Sequence, residues 1–231
     1  MRLDYFIAHA TGLPRKKVKI LISKGAVRVA GVVRPTPALK LADDQAVWLE
    51  DQLLHLPLPR YLMLHKPVGV VCSTDDPQHR TVLDLLAAEQ RSGLHVAGRL
   101  DIDTTGLVLL TDDGQWSHRI TSPRHACQKR YRVSLAEPIA DLALEQLRHG
   151  VQLRGEDQLT RPAQVDVLAE DCIALTIQEG RYHQVKRMLA AVGNHVTGLH
   201  REAIGVITLD SSLAPGEYRV LGEEEVRGVL E

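Results

Sequence analysis

At 231 residues the chain has material for one large domain or two smaller ones, each with a core of its own. Hydrophobic residues make up 44% and charged residues 25%, ordinary for a globular protein, and no apolar run approaches the length of a membrane-spanning helix. The net charge of -1 conceals an asymmetry: residues 1–60 hold ten Lys/Arg against five Asp/Glu, whereas residues 61–231 hold eighteen against twenty-four, so a basic module suited to an anionic partner precedes a mildly acidic one.

Leu3, Phe6, Ile7 and Ala10 recur at helical spacing and Gly12 stops the pattern. Pro14 opens a second helix, Arg15-Lys16-Lys17-Val18-Lys19-Ile20-Leu21-Ile22, which Gly25 ends. Val27-Arg28-Val29 and Val32-Val33 flank Ala30-Gly31 and read as a tight hairpin. Leu39, Leu41, Val47 and Leu49 supply further short strands. Arg15, Lys16, Lys17, Lys19, Lys24 and Arg28 place a cationic surface on the second helix and the hairpin, suited to a phosphate backbone. The plainer alternative is a solvated basic helix face. Residues 51–60, DQLLHLPLPR, have two prolines and no period, and read as a linker.

The second module opens with strand, turn and strand over residues 61–73, the turn made by Pro67 and Gly69. A short helix follows from Thr81 to Ala88. His95-Val96-Ala97 ends a strand, Leu107 to Thr111 is another, and GRLDIDTTG, residues 98–106, lies between them. Then come a helix at 115–120, a strand at 129–135 and an amphipathic helix at 140–150. Strands at 165–168 and 172–177 precede a helix from Arg181 to Val192. The chain closes with a strand from His195 to Leu209 that turns near Gly205, a turn at Pro215-Gly216, and a terminal helix from Glu223 to Leu230. This order predicts an α+β fold with a mixed, largely antiparallel sheet flanked by helices.

Cys72, Cys127 and Cys172 lie far apart without a CxxC pair, which argues against a disulfide framework and a cysteine zinc site. The start MRLDYFIAHA is too short and polar for a signal peptide. The expectation is a cytoplasmic, reduced protein without metal.

Chemistry concentrates in the loop 98–106, where Arg99, Asp101, Asp103 and two threonines sit between two core strands. Loops on a rigid sheet are where catalytic groups sit, although either carboxylate could instead cap turn amides. His183, Lys186 and Arg187, three and four residues apart, would share one helix face.

Together these stretches resemble two families. Residues 1 to about 50, with RLDYFIA, a basic helix and KGAVRVAGVV, resemble the alpha-L RNA-binding motif of a ribosomal protein, which implies contact with structured RNA. YLMLHKPVGVVCS, GRLDIDTTGLVLLTDDG, KRYRV and EGRYHQVKRM follow in order the motifs of the pseudouridine synthases. LHREAIGVITLD and LAPGEYRVL resemble the closing segments of the branch that modifies ribosomal RNA. The resemblance implies a 1–50 RNA-binding domain, a 51–60 linker and a 61–231 catalytic domain of the pseudouridine synthase fold. It implies that Asp101 is the catalytic aspartate, that Tyr131 packs against the target base, and that Lys186 pairs with the aspartate where most relatives have arginine. Arg99 would hold the loop or a phosphate, and Arg181, His183, Gln184 and Arg187 would line the rim and meet RNA. The implied partner is small-subunit (16S) ribosomal RNA or a small-subunit assembly intermediate, met by a monomer.

Isomerising uridine oxidises nothing and imports no group, so no cofactor is expected. A carboxylate that attacks and leaves again suffices, provided a cation keeps it ionised when enclosed. The nucleotide must leave its stack to be reached, and an aromatic side chain can replace part of the lost stacking. Competing readings are a related enzyme acting on large-subunit ribosomal RNA, a catalytically inert ribosome-associated RNA-binding protein, and a glycosidase with Asp103 as the second carboxylate.

Overall fold

The computed structural model of the chain describes residues 1–42 and 44–229. It comprises two compact units, Met1–Leu58 and Pro59–Glu231. In the first, α1 (Leu3–Thr11) ends at Gly12, whose φ of 70° lies in the left-handed region that glycine enters without penalty. After α2 (Arg15–Ser23) come β1 (Val27–Val29), β2 (Val47–Leu49) and β3 (Gln52–Leu53), which form a three-stranded sheet in that order. The helical periodicity is realised: Leu3 and Ile7 of α1 and Val18 and Ile22 of α2 are buried against Val27, Val29 and Val47.

Two expectations change here. Val32-Val33 is not the partner of β1, which pairs antiparallel with β2; one bridge, Val29 to Val32, is all that remains of the hairpin. The reason is burial, since Val47 is fully enclosed in this pairing while Val33 stays outside the core. The stretch read as a linker also starts inside the unit, because Gln52–Leu53 pairs with β2 and Leu54 joins the core.

The second unit contains β4 (Tyr61–Lys66), a 3-10 turn (Val82–Leu85), α3 (Ala88–Arg91), β5 (His95–Val96), β6 (Thr105–Thr111), α4 (Gly114–Thr121) and β7 (Lys129–Leu135). It continues with α5 (Asp141–His149), β8 (Gln164–Ala169), β9 (Cys172–Ile177), α6 (Gln184–Ala191), β10 (Val196–Ile204), β11 (Ile207–Thr208), β12 (Tyr218–Val220) and α7 (Glu223–Gly228). The sheet runs β12-β4-β6-β10-β7-β9-β8, with β5 beside β6 and β11 beside β10. Among these pairings only β6 with β10 is parallel, so the sheet is mixed and largely antiparallel as the sequence predicts.

Strand alternation divides the core between the two faces. Leu64, Val108, Val133 and Ile173 pack with Met188 of α6, while Met63, Leu107 and Leu109 pack with Trp116 and Ile120 of α4. No second strand follows Pro67; residues 67–73 form a turn, and Val71 makes a single bridge to Thr81. The helix expected from Thr81 is a short 3-10 turn capped reciprocally by Thr81 and Asp84. The terminal helix ends at Gly228, and its expected last residue, Leu230, lies outside the described residues.

Candidate active site

The loop 98–104 connects β5 to β6, and two cations from the neighbouring strands hold it from beneath. Lys66 of β4 and Arg201 of β10 both lie opposite Gly106 of β6, one on each side. Lys66 is fully buried and donates to the main-chain carbonyls of Thr104 (2.7 Å), Pro67 (3.0 Å) and Ile102 (3.3 Å). Arg201, 1% exposed, donates through Nε to the Leu107 carbonyl (2.8 Å) and through its two terminal nitrogens to those of Arg99 (3.3 Å) and Gly98 (3.4 Å). No carboxylate contacts either cation among the described residues; main-chain dipoles do the solvating. Burial holds the Lys66 ammonium below its ordinary value, against the opposing pull of Cys72, Asp103 and Asp101. Gly106, at φ 107°, completes the floor, because a Cβ there would overlap the Arg201 main chain.

With its backbone so fixed, the loop presents Asp101, whose side chain is 27% exposed. His183 Nε2 lies 3.3 Å from Oδ1, and Lys186 Nζ lies 3.1 Å from Oδ2. Lys186 also meets both oxygens of Asp103, at 2.6 and 2.9 Å. Burial pushes the Lys186 ammonium down, but its hydrogen bonds to the two carboxylates prevail and hold it above its ordinary value. The same hydrogen bond holds the Asp103 carboxyl below the usual carboxylate range. Lys186 therefore stays protonated and Asp103 stays ionised near neutral pH.

The helix that carries Lys186 starts later than the sequence suggests. It begins at Gln184, and His183 precedes it in the left-handed region with φ 47°. His183 and Lys186 converge on Asp101, whereas Arg187 turns away to Glu156 (2.9 Å) and the Arg154 carbonyl (2.7 Å). Arg181 is engaged by Glu179, Glu156 and the Gln158 and Leu159 carbonyls. Gln184 is buried, donating to Glu179 and accepting from the Arg181 amide. These three brace the lead-in to α6 rather than present free donors to a ligand.

Tyr131 on β7 is almost buried and lines the same cleft of about 720 Å³ as Asp101, Arg99, His183 and Lys186. That volume suits a single nucleotide-sized guest. Thr104, also lining the cleft, has a buried hydroxyl with no hydrogen-bond partner among the described residues.

Sequence reasoning missed Lys66 and Arg201. It also missed the bond of Thr105 to His200 Nδ1 (2.8 Å), which ties the loop's end to β10. Nothing local in LHKP or HREA sets these residues apart; only the pairing of β4 and β10 with β6 brings them beneath the loop. No group of three His, Cys, Asp or Glu side chains among the described residues is placed to hold a metal ion. No helix among them is long and apolar enough to cross a membrane.

In the first unit Lys16, Lys17, Lys19 and Lys24 are exposed. Arg15 is committed to Asp4, which is buried and also bonded by Arg2. Arg28 lies over the Trp48 ring, 5.6 Å from its centroid, and near Asp51.

Comparison with known proteins matches residues 60–191 to the family model described as RNA pseudouridylate synthase. The chain is 55% identical over 229 residues to a Vibrio cholerae protein named ribosomal small subunit pseudouridine synthase A, covering 99% of each. It is 56% identical over 231 residues to the Escherichia coli protein of that name, covering 100% of each. A solved structure described as the crystal structure of a pseudouridylate synthase is 47% identical, with a TM-score of 0.74 and 99% of each chain covered.

Proposed function

This chain belongs to the RNA pseudouridylate synthase family, and we propose that it isomerises one uridine of small-subunit ribosomal RNA to pseudouridine with Asp101 as the attacking carboxylate. The observation that carries this reading is the convergence of Lys186 and His183 on Asp101, in a cleft walled by Tyr131. The small-subunit substrate rests on the end-to-end likeness to the Vibrio cholerae and Escherichia coli proteins.

The target nucleotide leaves its stack at a cost of about a few kcal/mol and enters the cleft, where the Tyr131 ring replaces part of the lost stacking. Asp101 provides the nucleophilic oxygens, and Lys186 stabilises the carboxylate each time it is released. The bond from N1 to C1′ breaks, the base turns, and C5 bonds to C1′. No oxidant, reductant or transferred group enters the balance, so no cofactor is needed. A hydrolytic glycosidase would use Asp103 as its proton-donating acid, but Lys186 keeps that carboxyl ionised, which favours isomerisation.

The first unit is the RNA-holding module in this reading, with Lys16, Lys17, Lys19 and Lys24 following the phosphate backbone and Arg99 meeting RNA beside the cleft. In this reading the enzyme acts as a monomer, in the cytoplasm, on the RNA or on a small-subunit assembly intermediate.

The test is to incubate the protein separately with small-subunit RNA, large-subunit RNA and a small-subunit precursor particle, and to map pseudouridine. One new pseudouridine in small-subunit RNA, free or in the particle, is expected. Product only in large-subunit RNA would overturn the substrate assignment. Binding without product, or released uracil, would overturn the reaction.

A further inference from the structure

Beyond the attacking carboxylate, the isomerisation requires a proton to move. When C5 bonds to C1′ the C5–H bond must break, and when N1 leaves C1′ an N1–H bond must form. One proton lost and one gained balance within the turnover. The group that handles them must accept and donate at the working pH, which favours a side chain whose ordinary pKa lies near neutrality.

We propose that His183 carries the proton from C5 to N1. This assignment rests on the reading of the chain as a uridine isomerase. His183 Nε2 sits 3.3 Å from Asp101 Oδ1, on the oxygen opposite the one that Lys186 holds. A base engaged by Asp101 therefore lies within reach of this nitrogen. The ring is stacked on Tyr182, with centroids 3.8 Å apart and planes at 19°, so its orientation is set. His183 is one of three non-glycine residues with positive φ among the described residues, and its side chain makes no helix-capping bond. A strained residue that does no capping and faces a reacting group carries its strain at a functional site.

Four nearby groups are committed by their bonds. Lys186 is held protonated by two carboxylates, and Asp103 is held ionised by Lys186. The Lys66 ammonium is enclosed by three carbonyls, and the Lys129 ammonium donates to the Cys127 carbonyl (2.9 Å). Asp101 and Asp103 from the loop, Lys186 from α6 and Tyr182 against its ring face His183, and Arg99, Tyr131, Glu179 and Arg181 line the same cleft.

The experiment uses the full chain with His183→Gly, since glycine accepts the left-handed backbone, and with His183→Asn, since asparagine tolerates it. Both variants are expected to lose about 10²–10⁴-fold in kcat for pseudouridine formation, with RNA affinity retained. Adding imidazoles of graded basicity to His183→Gly should restore turnover in proportion to their basicity, which a merely structural role would not produce. Turnover by His183→Gly within about threefold of wild type, or a loss that no imidazole restores, overturns the assignment. Wild-type protein run alongside separates the two readings, because absence of product there overturns the isomerase reading itself and this assignment with it.

Discussion

Two pairs of basic side chains surround the loop 98–106, and they behave in opposite ways. Lys66 and Arg201 lie beneath it, buried, and bond only to main-chain carbonyls. Lys186 and His183 lie at its mouth, partly exposed: Lys186 meets the carboxylates of Asp101 and Asp103, and His183 Nε2 lies 3.3 Å from Asp101. The two lysines show the difference most clearly, since burial lowers the pKa of Lys66 while two carboxylates raise that of Lys186. The lower pair fixes where the backbone goes; the upper pair faces the carboxylate oxygens the loop presents. A buried cation solvated by carbonyls organises a loop without neutralising its acids, which leaves those acids free to meet a second set of side chains.

Breaking the upper pair should cost the most. Lys186→Met is expected to reduce pseudouridine formation about 10³-fold, or about 4 kcal/mol of barrier, while RNA binding is retained. Activity near wild type in a single-turnover assay would remove Lys186 from the chemistry. Breaking the lower pair should appear first as lost stability. Arg201→Met leaves three carbonyls without their donor and is expected to cost about 3 kcal/mol in urea unfolding of the catalytic unit. An unchanged unfolding midpoint would show that these bonds do not hold the loop.

The opposite shifts give a smaller, signed test. The folded value of Lys66 lies below 10.5, so between that value and 10.5 the folded protein binds fewer protons than the unfolded chain and stability rises with pH. The folded value of Lys186 lies above 10.5, so its contribution is complete below 10.5 and is lost as pH rises through the raised value. Thermal midpoints followed into the alkaline range should show the deficit of Lys186→Met narrowing only above 10.5. A deficit that narrows at lower pH would contradict the pairing.

The smallest effect is expected in the first unit, where exposed charge is screened. Replacing Lys16, Lys17 and Lys19 together with glutamine should weaken RNA binding and flatten its salt slope by about 0.7–0.9 for each phosphate that is no longer neutralised. A salt slope identical to wild type would show that α2 does not meet the RNA.

Features set by neighbouring residues can be read from the sequence, and features set by distant strands cannot. GRLDIDTTG between two apolar runs announces a loop held by core strands, and EGRYHQVKRM announces the basic segment that meets it. The periodicity of α1 and α2 is visible because each helix buries one stripe against its own unit. The pairing of β1 with β2 is not visible, because a ladder eighteen or more residues away competes with a nearer turn and prevails by enclosing Val47. Lys66 and Arg201 stay hidden for the same reason: a lysine before proline and an arginine in a strand look exposed until β4 and β10 close on either side of Gly106. The resemblance gives Lys186 to Asp101 but not its tighter hold on Asp103, which depends on how the loop turns after Asp101.

The decisive experiment compares Asp101→Asn with Asp103→Asn on small-subunit RNA, with pseudouridine mapped at single-nucleotide resolution. Asp101→Asn is expected to form no pseudouridine. Asp103→Asn is expected to form it at the wild-type site, because Lys186 remains on Asp101. Product from Asp101→Asn together with none from Asp103→Asn would contradict the assignment of Asp101 and move the reactive carboxylate two residues along the loop.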